Sequence, residues 1–207
     1  MSPKHAPLPI DEFLDDIVER CRDNHGVVII AEPGSGKTTR VPLALMKDGF
    51  LGKQRILVLQ PRRVAARSTA TFIAQQHGTP VGKEVGYRVR FDNQTSASTR
   101  LEILTEGLLV RQLQNDPLLT DVGCVIFDEF HERSLNTDLG LAMVREVKDS
   151  LRPDLRIVIM SATLDPVPIS QWTGLEVLTV PGRVHPVEVL HSEPRQRERV
   201  VDHAARL

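Results

Sequence analysis

Aromatic residues are scarce in this chain of 207 residues: one Trp, one Tyr and six Phe, 4% of the total. A platform of rings for stacking successive bases is therefore not expected, and any contact to nucleic acid should favour its backbone. Cysteine is nearly absent as well. Cys21 and Cys124 are the only two, neither in a CxxC pattern, which excludes a disulfide framework and a cysteine zinc site and suits a reducing cytoplasm. Charge of either sign is not in excess: Lys and Arg total 26, Asp and Glu 27, for a net −1. Global charge thus gives no case for a polyanionic partner, although a local basic patch is compatible with it. No apolar run approaches the roughly 20 residues of a membrane helix. The first nine residues are proline-rich, lack the apolar core of a signal peptide, and are expected to be a flexible N-terminus.

What is present fits a soluble globular domain, with 41% hydrophobic and 26% charged residues. Short apolar runs at 27–31, 56–59 and 122–127, and at 157–160 within a strand over 155–160, do not alternate, as expected of strands buried on both faces. Further strands are expected over 99–105 and 175–180, and an edge strand within 80–90. Between them lie helical patterns at 10–21, 36–46, 62–76, 106–114 and 137–147. Strands alternating with helices predict an α/β fold with a mostly parallel sheet flanked by helices. Another apolar run, 187–190, precedes a highly charged tail.

The segment Ala31-Glu32-Pro33-Gly34-Ser35-Gly36-Lys37-Thr38 follows a strand and opens a helix. It departs from the phosphate-loop pattern G-x-x-x-x-G-K-[ST] only at Ala31. Gly34 and Gly36 permit the tight turn that aims N–H groups at phosphate, and the helix start adds more donors. Lys37 can reach the β and γ phosphates, and the Thr38 hydroxyl can hold Mg²⁺. Asp128-Glu129 leaves the end of another buried strand, the edge where ligands of parallel sheets bind. Asp128 suits Mg²⁺, held through water, and Glu129 suits proton uptake from an attacking water. The competing reading is a glycine-rich turn and a charged loop. The two elements together favour a nucleoside triphosphatase.

His131 follows the acidic pair, and Ser161-Ala162-Thr163 leaves the strand before it at the same edge. A hydrogen bond from His131 to Ser161 or Thr163 is expected to report phosphate occupancy; a surface His and a capping Ser is the bland alternative. Arg62 and Arg63, after a strand, and Thr105, at a helix start, are candidate contacts to a nucleic-acid backbone. Arg88 and Arg90 add positive charge nearby; for all of these a merely solvated surface is the alternative.

The series Gly34 to Thr39, Pro61-Arg62-Arg63-Val64-Ala65-Ala66, Thr105-Glu106-Gly107, Asp128 to Arg133 and Ser161-Ala162-Thr163 resembles a DEAH-box RNA helicase of superfamily 2. The order is the family's, over roughly residues 10–190. Phe130 replaces the Ala of the family's name motif, which together with Val85 to Phe91 resembles the bacterial HrpB branch. The resemblance implies a first RecA-like P-loop NTPase domain over 10–183. Residues 184–207 would be a linker or the start of a second domain. It implies ATP and Mg²⁺ as cofactors. Gly34, Ser35, Gly36, Lys37, Thr38 and Thr39 would bind nucleotide, with Phe72 stacking where many relatives place an Arg. Lys37, Glu129 and His131 would carry catalysis, Thr38 and Asp128 the metal. Ser161 and Thr163 would couple the site to single-stranded RNA held by Arg62, Arg63 and Thr105. The expected partners are RNA and a second RecA-like lobe, whose arginine fingers complete hydrolysis, and no membrane. The alternatives are a DNA-acting superfamily 2 motor or a non-catalytic nucleotide-binding module.

Overall fold

The computed structural model describes residues 7–182 and Val201. Eight strands form one sheet: β1 (Gly26–Ala31), β2 (Arg55–Gln60), β3 (Val85–Val89), β4 (Asp92–Gln94), β5 (Leu101–Thr105), β6 (Val122–Phe127), β7 (Arg156–Ser161) and β8 (Val177–Val180). Their spatial order is β4-β3-β5-β2-β6-β7-β1-β8. Every neighbouring pair is parallel except β3 with β4. The fully apolar β6 is buried at all six positions, as its uninterrupted hydrophobic run requires between two helical layers.

The faces are covered by α1 (Leu14–Asp23), α2 (Lys37–Asp48), α3 (Arg63–His77), α4 (Glu106–Asn115), α5 (Leu135–Ser150) and α6 (Pro166–Thr173). One core gathers Ile17 of α1, Val41 of α2 and Ile73 of α3 against one face of the sheet. The second packs Leu109 of α4 and Val144 of α5 against the other. Alternate residues of each central strand feed opposite cores: Val58 of β2 enters the first, Leu57 and Leu59 the second.

Several local expectations need correction. The pattern at 10–21 is a 3-10 turn over Pro9–Phe13 followed by α1, since Pro9 starts the turn and the helix proper begins at Leu14. Leu8 and Pro9 belong to the folded body, with the Leu8 N–H donating to Asp11 at 2.8 Å; residues 1–6 lie outside the described residues. The strand within 80–90 is not at the edge. The β3–β4 hairpin turns at Arg90-Phe91, and β4 takes that position. Helix α5 begins at Leu135 because Ser134 caps it, accepting from Thr137 N at 3.0 Å. Helix α6 was not expected; its start is set by Asp165, which accepts from Val167 N, and by Pro166. The apolar run 187–190 and, apart from Val201, the expected 184–207 segment lie outside the described residues.

Candidate nucleotide and nucleic-acid site

Parallel strands end at a common edge. Across that edge, in spatial order β5, β2, β6, β7, β1, the chain presents Thr105, Gln60, Asp128, Ser161 and the loop after Ala31. Motifs far apart in sequence therefore meet because five neighbouring strands run in the same direction.

The loop after β1 turns through Gly34 (φ +80°) and Gly36 (φ +93°), the left-handed region that favours glycine. Thr39 Oγ1 donates back to the Gly36 carbonyl at 3.3 Å. Lys37 opens α2 and is 3% exposed. Its Nζ lies 3.6 Å from Glu129 Oε1. Ser35 is equally buried, and its hydroxyl has no partner. A buried ammonium, an orphaned hydroxyl and a glycine turn at a helix start fit a polyphosphate.

Asp128 is 2% exposed. It accepts from the Glu129 N–H at 2.9 Å and from Gln60 Nε2 at 2.5 Å. Burial pushes its carboxyl up to about 6; the Thr38 hydroxyl opposes this, the Glu129 charge adds to it, and Lys37 and the Glu129 N–H oppose it again. The pairing of Thr38 with Asp128 fits Mg²⁺. Among the described residues no group of three or more His, Cys, Asp or Glu could hold a metal alone. Mg²⁺ arriving with phosphates needs only one or two carboxylates.

Glu129 sits in the left-handed region at φ +51° and ψ +39°. That turn sends its side chain away from buried Asp128 to a position 30% exposed, between Lys37 and His131. His131 Nδ1 is 3.5 Å from Glu129 Oε2 and accepts from the Ala162 N–H at 3.4 Å. The expected partner is thus corrected. His131 meets the backbone of the Ser-Ala-Thr segment, whereas Ser161 Oγ is buried without a partner and Thr163 is exposed. Phe130 is 2% exposed and packs edge-on to Phe127 at 6.4 Å, with the Arg133 guanidinium 5.3 Å from its ring centre. The extra ring is core, so it leaves both carboxylates and His131 at the edge.

Toward β2 and β5, Arg62 and Arg63 are exposed, and Arg62 Nη2 meets Glu132 Oε1 at 3.1 Å. Thr105 occupies the N-cap position of α4, yet its hydroxyl makes no capping bond. Arg88 is not a surface contact. It pairs with buried Glu102 at 2.7 Å and donates to Gln112 of α4, because a carboxylate inside β5 demands a cation. Arg90 remains at the hairpin turn, 4.7 Å from the Phe91 ring, which is 89% exposed. Phe72 lies on α3 and is 45% exposed. Sequence reasoning missed Gln60 and Phe91. The first is signalled by a glutamine ending an apolar strand; the second has no signal in the sequence, since its exposure and its φ of +68° appear only in the hairpin.

A mostly parallel sheet with a glycine turn and a buried lysine after β1 and acidic residues after β6 defines a RecA-like P-loop NTPase domain. The chain belongs to the DEAD/DEAH box helicase family, whose model matches residues 13–171. It is 40% identical over 196 residues to the human ATP-dependent RNA helicase DHX33, covering 92% of this chain. Among solved structures it is similar to the Escherichia coli DEAH/RHA helicase HrpB, with a TM-score of 0.82 and 42% identity over 87% of this chain. The chain spans only 28% of the human relative and 23% of the bacterial one.

Proposed function

We propose that the chain is the first motor lobe of an ATP-dependent RNA helicase, working in the cytoplasm. The observation that carries this is the convergence of Lys37, Asp128, Glu129 and His131 at one sheet edge, beside exposed Arg62 and half-buried Thr105. The backbone N–H groups of Gly34 to Thr39 and the Lys37 ammonium hold the nucleotide phosphates. Thr38 and Asp128 hold Mg²⁺, which when bound offsets charge on the phosphates. Glu129 is placed to orient a water and take its proton. His131, between Glu129 and the Ala162 N–H, relates the site to the Ser161–Thr163 segment. Phe72 stacks on the base. Arg62, Arg63 and Thr105 hold single-stranded RNA by its backbone, and Phe91 joins them from the hairpin tip.

Charge developing in the transition state needs further cations facing the γ-phosphate. A second RecA-like lobe supplies them in this reading. The test is phosphate release at saturating RNA, by this chain and by the full-length protein that contains it. The chain alone should be at least about tenfold slower. Parent-like turnover would overturn the split site, and stimulation by DNA but not RNA would replace RNA with DNA as the track.

A further inference from the structure

Strand β2 is apolar through Ile56, Leu57, Val58 and Leu59 and then ends on glutamine. Gln60 is as buried as they are, 3% exposed. A buried amide costs stability unless its hydrogen bonds are made, so a hydrophobe would serve the core better. Its Nε2 donates to Asp128 Oδ2 at 2.5 Å. An ionised carboxylate only accepts, so this bond fixes which way the amide faces.

The position of Gln60 gives that bond a reach beyond Asp128. Its strand lies between β6, which ends at Asp128, and β5, which ends at Thr105. In the register of β2 with β5, Gln60 stands opposite Thr105. On the other side the Asp128 N–H donates to the Leu59 carbonyl at 3.2 Å. Two residues further on is Arg62, paired with Glu132 beyond the acidic loop. One buried side chain therefore sits where the Asp128 carboxylate meets the strand ends that lead to Arg62 and Thr105.

We propose that Gln60 is a positioning residue that transmits occupancy of the Asp128 side of the site to Arg62 and Thr105. This rests on the reading of Asp128 as the metal-side carboxylate. Thr38 and Asp128 would hold Mg²⁺, and any reorientation of the Asp128 carboxylate on binding it would act, through the bond to the Gln60 amide, on the end of β2. That strand end carries Arg62 and pairs with β5 in the register that sets Gln60 opposite Thr105. Coupling of this kind needs a contiguous element biased from both ends, which the Asp128–Gln60–Thr105 row provides.

The test follows backbone amide resonances of the 207-residue chain during titration with ADP, with Mg²⁺ or with EDTA. Gly34 to Thr38 report phosphate binding; Arg62 and Thr105 to Gly107 report the far strand ends. In the wild type, Mg²⁺–ADP should shift both sets, and ADP in EDTA should shift the loop set alone. In Gln60→Met, which keeps length and loses the donor, the loop set should respond with affinity within about threefold of wild type. The far set should lose most of its response. Far-set shifts equal to wild type in Gln60→Met, or equal with and without metal in the wild type, would overturn the proposal. The metal comparison uses no variant, so it stands even if Gln60→Met fails to fold. If the loop set itself never responds, the phosphate-loop reading has failed, a different result from the loss of coupling.

Discussion

Lys37 Nζ lies 3.6 Å from Glu129 Oε1, the lysine buried and the carboxylate partly exposed. The cation of the phosphate loop is therefore held in place by the residue assigned to the attacking water. In the proposed reading, phosphate entering the loop would compete with Glu129 for Lys37 and leave Glu129 to face solvent and His131. Removing the ammonium should cost nucleotide far more than it costs the fold. Lys37→Ala is expected to weaken Mg²⁺–nucleotide binding by well over about tenfold, as loss of a buried charge contact does. Calorimetric titration of both forms, with a thermal melt of each, is the check. Equal affinity would remove the loop from the mechanism.

The two adjacent carboxylates should separate by function. Glu129→Gln keeps size and hydrogen bonding but cannot take up a proton. In the full-length protein it should leave nucleotide affinity within a few-fold and lower turnover by about a hundredfold or more. Asp128→Ala removes the buried carboxylate that meets Thr38 and Gln60. It should depress Mg²⁺-dependent binding and turnover together. Affinity and steady-state rate across a magnesium titration distinguish the two, and identical behaviour would refute the division.

The common edge on which these residues meet was largely legible in the chain, because a parallel sheet turns strand ends into a shared edge. Lys37 and Asp128 needed only their strands and their neighbours to be placed there. What stayed hidden depends on which strands are adjacent. Gln60 touches Asp128 because β2 lies beside β6, an order that no local pattern encodes. Arg88 looked like surface charge because Glu102, its buried partner, lies on a strand that pairs with β3 only in three dimensions. His131 was placed in the correct neighbourhood with the wrong partner, since the backbone N–H of Ala162 carries no sequence signature.

Acid should expose one structural tie far from the site. Arg152 donates to the carbonyls of Leu118, Leu119 and Val122, which fixes the approach to β6, and is held by Asp154 at 2.7 Å. The hydrogen bond from Arg152 pulls the Asp154 carboxyl down to about 2. The unfolded chain takes up that proton near pH 4, more readily than the folded one. The stabilisation is therefore present above about pH 4 and is lost as pH falls through about 2. Asp154 is half exposed, so solvent screening limits the effect to about 1 kcal/mol or less. Urea unfolding should find Asp154→Asn less stable than wild type at pH 7, with the gap narrowing toward pH 3. A gap that widens on acidification would contradict the sign.

The phosphate loop owes its shape to what lies against it as well as to its own glycines. A Cβ on Gly36 would meet Leu8 Cδ1 at 2.6 Å and Ile10 Cγ2 at 3.1 Å. The Ile10 N–H also donates to the Ser35 carbonyl at 3.1 Å. Gly36→Ala thus carries two costs, the left-handed backbone at φ +93° and the displacement of Leu8. Gly34→Ala carries the first alone, since a Cβ there meets nothing within 4 Å. The left-handed penalty is about 1–2 kcal/mol, which for a domain of this size lowers the melting temperature by roughly 2–8 °C. Gly36→Ala should melt lower than Gly34→Ala. Adding Leu8→Ala should recover part of the difference, because residues in contact are not additive. Melting temperatures of the two single glycine variants, Leu8→Ala and the Leu8→Ala/Gly36→Ala pair complete the cycle. Strict additivity of Leu8→Ala and Gly36→Ala would show that the Leu8 side chain does not brace the loop at Gly36.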